Sequence, residues 1–353
     1  MKKIIQYLTM TIVFSLIFAG CARKAPTIAE SEKTPLASAP QSETPAPEKE
    51  NKENKVSAEP LRIAALKGPT AMGMVKLMED NAEESSNNLY NFEILGTADE
   101  VTAGLTKGEL DIAAIPCNLA SVLYNKEVPI KVAAINTLGV LYIVDKTDTI
   151  KSVEDLRGKT IYTVGQGTTP EFALNYVLTQ NGLVVGSDVT VEFKDEATEL
   201  AALLASGQGE IAMLPEPYCT TVLAQNADVK IALSLTEEWN KIQTEFSLLT
   251  GTVVIRSEVI ENRPEDVSAF LAAYEQSIQY MDTNLEEGAT LVEKYGIVPK
   301  AAIAKAAIPR CNIVFIDGDK MQTDIAGYLN VLFEAEPKAV GGKLPDENFY
   351  FKK

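Results

Sequence analysis

The segment from Thr97 to Pro116 can be laid over the segment from Glu196 to Pro215 without a gap, and this internal repeat limits the possible folds more than any other feature of the chain. The matched pairs are Ala98/Ala197, Glu100/Glu199, Ala103/Ala202, Leu105/Leu204, Gly108/Gly207, Ile112/Ile211, Ala113/Ala212 and Pro116/Pro215, with Asp111 opposite Glu210. Each copy reads as a helix, a glycine that stops it, an acidic residue, a buried strand and a proline that ends the strand. Thr97 and Glu100 have capping-box spacing. Upstream, the run Leu61 to Leu66 leads into Lys67-Gly68-Pro69-Thr70, and Lys159 to Val164 leads into Gly165-Gln166-Gly167-Thr168. Each is a strand followed by a small polar turn that starts a helix. A unit used twice predicts two similar lobes, each gathering its post-strand loops at the carboxyl edge of a sheet, where open α/β sheets bind ligands.

Further short runs fit the same scheme. Asn91 to Leu95, Leu110 to Ile115, Ile130 to Ile135, Val189 to Lys194 and Glu210 to Leu214 are rich in strand formers, and helical periodicity fills most of the gaps between runs. Alternation of this kind predicts an α/β architecture.

The chain starts with Lys2 and Lys3, an apolar stretch from Leu8 to Phe18, and then Ala19 and Gly20 directly before Cys21. Residues 1–20 have the pattern of an export signal too short to remain as a bilayer span. The small pair before Cys21 resembles a bacterial lipobox, which implies cleavage there and lipid on the Cys21 sulfur. From residue 21 to residue 59, Pro26, Pro35, Pro40, Pro45 and Pro47 stand among Glu, Lys, Ser and Asn with no aromatic residue. Such a stretch is expected to be a disordered tether with a reach on the order of 35 Å.

Composition removes several functions. The formal charge of −17 becomes −19 if the two charges of Lys2 and Lys3 leave with the leader. An acidic surface argues against nucleic acid as a partner. The chain has no histidine, so Ser-His and Cys-His nucleophiles and histidine-rich metal sites are excluded; no metal and no cofactor are expected. Of four cysteines, Cys117, Cys219 and Cys311 follow Cys21, an odd number that argues against a disulfide framework and leaves a single bridge open.

The run Val153-Glu154-Asp155-Leu156-Arg157-Gly158-Lys159-Thr160-Ile161, with the Gly-rich turn and Asn181-Gly182-Leu183 after it, resembles the second-lobe entry of type II periplasmic solute-binding proteins of ABC importers. Gly207 to Pro215, and Arg256 to Phe270 with Arg263-Pro264-Glu265-Asp266-Val267 opening a long helix, fit the same pattern. The nearest likeness is to the branch serving sulfonates, taurine, nitrate and thiamine-pyrimidine precursors. The resemblance implies two α/β lobes, each a mostly parallel sheet flanked by helices, with solute held between them. By that analogy lobe 1 is residues 60–144 plus 254–353 and lobe 2 is 145–253, with crossings near Asp145 to Thr149 and Thr250 to Val254. It also implies a monomer that is not an enzyme, captures a small organic solute by lobe closure, and hands it to a permease with ATPase subunits. The lipid would hold it on the extracytoplasmic face of the cell membrane. Two rivals are a catalytic member of the same fold, with Glu171 or Glu216 as the base, and a ligand sensor without a transport role.

The expected ligand contacts follow from the strand ends. Gly68, Thr70 and Met72 succeed the first strand; Gln166, Gly167, Thr168 and Thr169 form the turn that faces them. Cys117 and Asn118 follow one repeat strand, and Glu216 and Tyr218 follow the other. Helix-start amides with hydroxyls suit an anionic group. Glu216, Tyr218 and the lone Trp239 suit a flat nitrogen heterocycle. Both solute classes stay open on sequence alone.

Overall fold

The computed structural model describes residues 59–83 and 90–352. The leader, Cys21 and the tether up to residue 58 lie outside the described residues. The described chain forms strands β1 (Leu61–Leu66), β2 (Tyr90–Leu95), β3 (Ile112–Pro116), β4 (Ile130–Leu138), β5 (Leu141–Asp145), β6 (Thr160–Thr163), β7 (Thr190–Phe193), β8 (Ile211–Pro215), β9 (Lys230–Ser234), β10 (Leu249–Arg256) and β11 (Ile313–Ile316). They assemble into a first sheet ordered β11-β4-β10-β3-β1-β2 and a second ordered β7-β6-β8-β5-β9.

Both copies of the repeat fold alike. Helix Ala98–Lys107 ends at Gly108 with φ 74°, and helix Ala197–Ser206 ends at Gly207 with φ 72°. A side chain at either left-handed position would be strained by about 1 kcal/mol. The strands that follow, β3 and β8, each lie parallel to an upstream strand, β1 or β6, and antiparallel to a strand arriving from elsewhere, β10 or β5. The sheets are therefore mixed: parallel on the repeat side, antiparallel where the incoming strand has been inserted.

Side-chain alternation shows how the first sheet is covered. Leu61, Ile63 and Ala65 on β1 and Ile112 and Ala114 on β3 face one core, together with Phe270, Leu271 and Tyr274 of the long helix Pro264–Thr283. Ala64, Ala113 and Ile115 face the other, together with Leu105, Leu123 and Leu329. Every second residue is apolar on each face because both faces carry helices. Among the described residues, no helix is long and apolar enough to cross a membrane.

The chain passes from the first sheet to the second at Gly139 and Val140, between β4 and β5. A Cβ on Gly139 would stand 2.4 Å from Thr236 Oγ1 and 2.7 Å from Leu248 Cδ2, so only glycine admits the outgoing and returning segments so close together. The segment Asp145 to Thr149, where a crossing was expected, instead ends β5 and turns around the Asp145 carboxylate. That carboxylate accepts from the Thr147 amide at 2.7 Å, the Thr149 amide at 2.6 Å and the Ile150 amide at 3.0 Å. The expected lobe boundary at residues 144 and 145 thus falls inside β5, because two residues suffice to change sheets.

A second connection joins the sheets. Glu216, 2% exposed after β8, accepts from Arg310 Nε at 2.6 Å, and from the Thr220 hydroxyl at 2.7 Å and amide at 3.1 Å. Arg310 also donates to the Thr220 hydroxyl. It precedes β11 of the first sheet, and its carbonyl accepts from the Tyr142 hydroxyl of the second sheet at 2.9 Å. Asn312 then donates to the Gly139 carbonyl and accepts from the Leu138 amide. The segment 310–312 is therefore stitched to both sheets beside the crossing.

Two stability tests follow. Burial tends to raise the Asp145 pKa, but hydrogen bonds from Thr147, Ile150 and Thr149 outweigh it and hold the carboxyl below its ordinary value. A depressed folded pKa supplies stability above the ordinary carboxylate range and loses it as the pH falls through the folded value. Asp145→Asn should lower stability near pH 7 by on the order of 2 kcal/mol, with the deficit shrinking below about pH 4 in urea titrations. Arg310→Ala should cost about 3 kcal/mol because it strands the buried Glu216 charge, whereas Glu216→Met combined with Arg310→Met should cost less. Chemical denaturation of the three proteins checks this ordering.

Candidate functional site

Three helices begin around one cavity of about 360 Å³. Ala98 opens helix Ala98–Lys107, Asn118 lies in the first turn of Cys117–Asn125, and Thr168 and Thr169 start Thr169–Gln180. The strand-ending prolines of the two repeat copies, Pro116 and Pro215, both line it. Val140 and Leu141 from the outgoing crossing and Thr250 from the returning strand complete the wall. Both sheets thus contribute their repeat-strand ends, and the crossings lie between them.

The lining carries no charged side chain; its polar members are Asn118, Thr168, Thr169 and Thr250, and Leu119 and Pro170 add to the apolar part. Helix-start amides favour an electron-rich group by about 0.3 to 2 kcal/mol each. Thr168 spends its hydroxyl proton on the Gly165 carbonyl at 2.6 Å, and the Gly167 amide donates to the Glu171 carboxylate at 2.6 Å. The bonds of the opposing pair are weaker. Thr169 donates to Asn118 Oδ1 at 3.4 Å across the cavity, and Asn118 Nδ2 donates to the Ala339 carbonyl at 3.4 Å. Both are long against the ordinary 2.7 to 3.0 Å, so these side chains keep capacity for a guest.

Other expected contacts lie elsewhere. Gly68 has φ 132° before a helix of only four residues, Thr70 donates its hydroxyl to the Leu66 carbonyl at 2.9 Å, and Met72 is in the core. Thr70 packs where β10 has Gly251, whose Cβ would stand 2.5 Å from Thr70 Cγ2. Gln166 and Gly167 are exposed on the turn and do not line the cavity. Cys117 is buried beneath the cavity wall, where desolvation pushes its thiol pKa up. Cys117, Cys219 and Cys311 are all free and buried, with Cys219 pushed up to about 12 by burial. Glu216 is committed to Arg310, and Tyr218, 46% exposed, is not among the residues that line the cavity. Trp239, 0% exposed, packs against Tyr176, Phe246 and Tyr328 and donates its indole N–H to the Phe246 carbonyl at 3.3 Å. An aromatic that size beside the crossing fills the core between helices and leaves no face for stacking. Sequence reasoning missed Leu119, Val140, Leu141, Pro170 and Thr250; the crossing glycine at Gly139 was the signal that could have led to the first crossing. Among the described residues no cluster of acidic or cysteine side chains could hold a metal ion.

Comparison with known proteins places this geometry. A binding protein of Brucella abortus is 27% identical over 177 residues, 50% of this chain and 53% of its own length, so the chain spans about half the length of the curated relatives it matches. The crystal structure of an ABC transporter from Parabacteroides distasonis superposes with a TM-score of 0.72 at 27% identity, covering 83% of this chain and 99% of that one. The periplasmic aliphatic sulphonate binding protein of Escherichia coli has the same fold, with a TM-score of 0.66 at 16% identity, covering 84% of this chain and 93% of that one. The family model described as "ABC transporter, phosphonate, periplasmic substrate-binding protein" matches residues 78–306. That match takes in both copies of the repeat and both crossings, and the chain belongs to this family.

Proposed function

We propose that the protein is the solute-capturing component of an ABC uptake system, binding a small organic molecule between two lobes without transforming it and delivering it to a permease driven by ATPase subunits. The observation that carries this reading is the cavity walled by helix starts from both halves of the repeat, with Thr169 and Asn118 bonded across it. We take lobe 1 as the part carrying the first sheet and lobe 2 as residues 141–234 with the helix that follows. A solute touching both lobes favours closure because only the closed form completes its contacts. We further read Cys21 as a lipid attachment site and the proline-rich segment as a leash on the extracytoplasmic face, with the protein acting as a monomer.

The lining supports a solute with an apolar body and a polar group at the helix starts, the arrangement of a short sulfonate, carboxylate or related organic acid. The heterocycle alternative has lost its supports, since Glu216 is paired, Trp239 is core and Tyr218 lies off the cavity. The two carboxylates that a catalytic reading would need as a base are engaged, Glu216 by Arg310 and Glu171 by the Gly167 amide.

Asn118→Ala and Thr169→Val should each weaken binding of the solute that copurifies with the native protein by about three- to tenfold, in calorimetry, with the solute recovered chemically unchanged. Trp239 gives a built-in probe, because its ring lies 6.1 Å from Tyr328 on a helix of the first lobe. Solute should change its emission and contract the scattering radius together; a constant radius would refute closure. Cys21→Ser should shift the protein from the membrane fraction to the soluble exported fraction.

A further inference from the structure

A second cavity, of about 500 Å³, lies between helix Thr169–Gln180, which follows β6 of the second sheet, and the C-terminal end of helix Gly318–Ala335, which packs on β4 and β10 of the first. One helix separates the two cavities. Thr169 and Pro170 line the cavity already described, and Glu171, Phe172 and Asn175, farther along the same helix, line this one.

The second lining lacks a cation. Three carboxylates belong to it, Glu171, Glu334 and Glu336, and no lysine or arginine does. Each carboxylate has one oxygen engaged by a neutral donor: Glu171 by the Gly167 amide at 2.6 Å, Glu334 by Asn330 Nδ2 at 2.9 Å and Glu336 by the Lys338 amide at 3.1 Å. Among the described residues none of the three is ion-paired. Asn175 is a separate observation. Its side-chain carbonyl oxygen is buried in the same wall and has no hydrogen-bond donor. An unbonded buried acceptor is destabilising, so this wall lacks a donor that the described chain does not supply. The helix ends act in the same direction. A helix C-terminus carries partial negative charge that a base in the last turn ordinarily balances. Neither helix has such a base, and Glu334 and Glu336 put two acids at the end of the second.

The shape of the lining narrows the class of ligand. Among the described residues no acidic cluster could hold a metal ion, so the carboxylates do not converge on one point. Phe172, Tyr176, Val331 and Ala335 add apolar surface to the same cavity. A hydrated metal ion leaves that surface unused, whereas a methylene chain covers it and a terminal ammonium brings three donors. We propose that this cavity is a binding site for a short aliphatic diammonium ion, with one ammonium donating to Asn175 Oδ1 and Glu171 and the other held by Glu334 and Glu336. The methylene chain lies against Phe172 and Val331. The site is separate from the solute cavity, and its assignment does not depend on what that cavity binds.

The test is calorimetry and thermal melting of the full-length protein at constant ionic strength, with putrescine and cadaverine as probes and butylamine and magnesium as controls. The diamines should bind at a single site, raise the melting temperature and bind tighter than butylamine by about tenfold or more. Glu334→Gln combined with Glu336→Gln, both on an exposed helix end, should weaken the diamines by about tenfold or more. Asn175→Leu should weaken them by about three- to tenfold and leave the melting temperature without amine unchanged or higher, because the unbonded oxygen is gone. Absence of diamine binding to the unaltered protein overturns the proposal. An equal rise in melting temperature with magnesium at the same ionic strength reports screening of the acidic surface and overturns it too. Undiminished diamine affinity in the Glu334→Gln and Glu336→Gln protein places the amine elsewhere and overturns the site, even if Asn175→Leu fails to fold.

Discussion

The exchange of one strand between the two sheets is the constraint from which the rest follows. β10 returns from the second sheet to lie antiparallel beside β3, and β5 arrives from the first to lie antiparallel beside β8. Neither repeat copy can complete its sheet with local chain alone, so the two halves must fold next to each other. The exchange also brings the repeat-strand ends, Pro116 and Pro215, to the same cavity, with Val140, Leu141 and Thr250 of the crossings between them. Gly139 allows the two crossings to pass within van der Waals contact, and the Glu216–Arg310 pair holds the segment before β11 against the second sheet. The cavity is a consequence of connectivity before it is a matter of side-chain choice.

The division of labour in that cavity can be argued from magnitudes. Converting a clamp from almost wholly open to almost wholly closed requires about 5.5 kcal/mol of preference for the closed form. Neutral hydrogen bonds contribute roughly 1 kcal/mol each after exchange with water, so in the proposed site Asn118 and Thr169 supply only a fraction. A solute that buries on the order of 150 Å² of apolar surface gains about 4 kcal/mol. In the clamp proposed above, the apolar wall of Leu119, Val140, Leu141 and Pro170 is therefore the larger contributor to closure, and the polar wall of Asn118 and Thr169 sets which end of the solute faces the helix starts.

Sequence reading reached the architecture because periodic features carried it. The glycines at Gly108 and Gly207, the prolines that end β3 and β8, and the Thr97 and Glu100 capping box are local rules, and each appears where its local rule puts it. Such rules locate a strand end, and hence the neighbourhood of a cavity, to within a residue or two. They do not say which side chain of that neighbourhood turns inward. Asn118 lines the cavity while the adjacent Cys117 is core; Pro215 lines it while the adjacent Glu216 is drawn to Arg310, far along the chain. Trp239 belongs to a cluster assembled from Tyr176, Phe246 and Tyr328, which no spacing in the sequence joins.

The charge balance gives the same lesson about scale. A chain of net charge −17 would seem a poor trap for an anionic solute, yet the cavity lining is neutral and its donors act at contact. Surface charge is screened over about 8 Å at physiological ionic strength, so the acidic exterior lowers the rate of encounter with an anion more than the strength of its final grip. In the proposed site, amide dipoles at three helix starts and the hydroxyl and amide groups of the lining require no counter-charge to be desolvated, which avoids the cost that a buried arginine would carry. A binding site of the proposed kind grips its solute through neutral contacts at the wall, and that grip is insensitive to most of the charge on the protein around it.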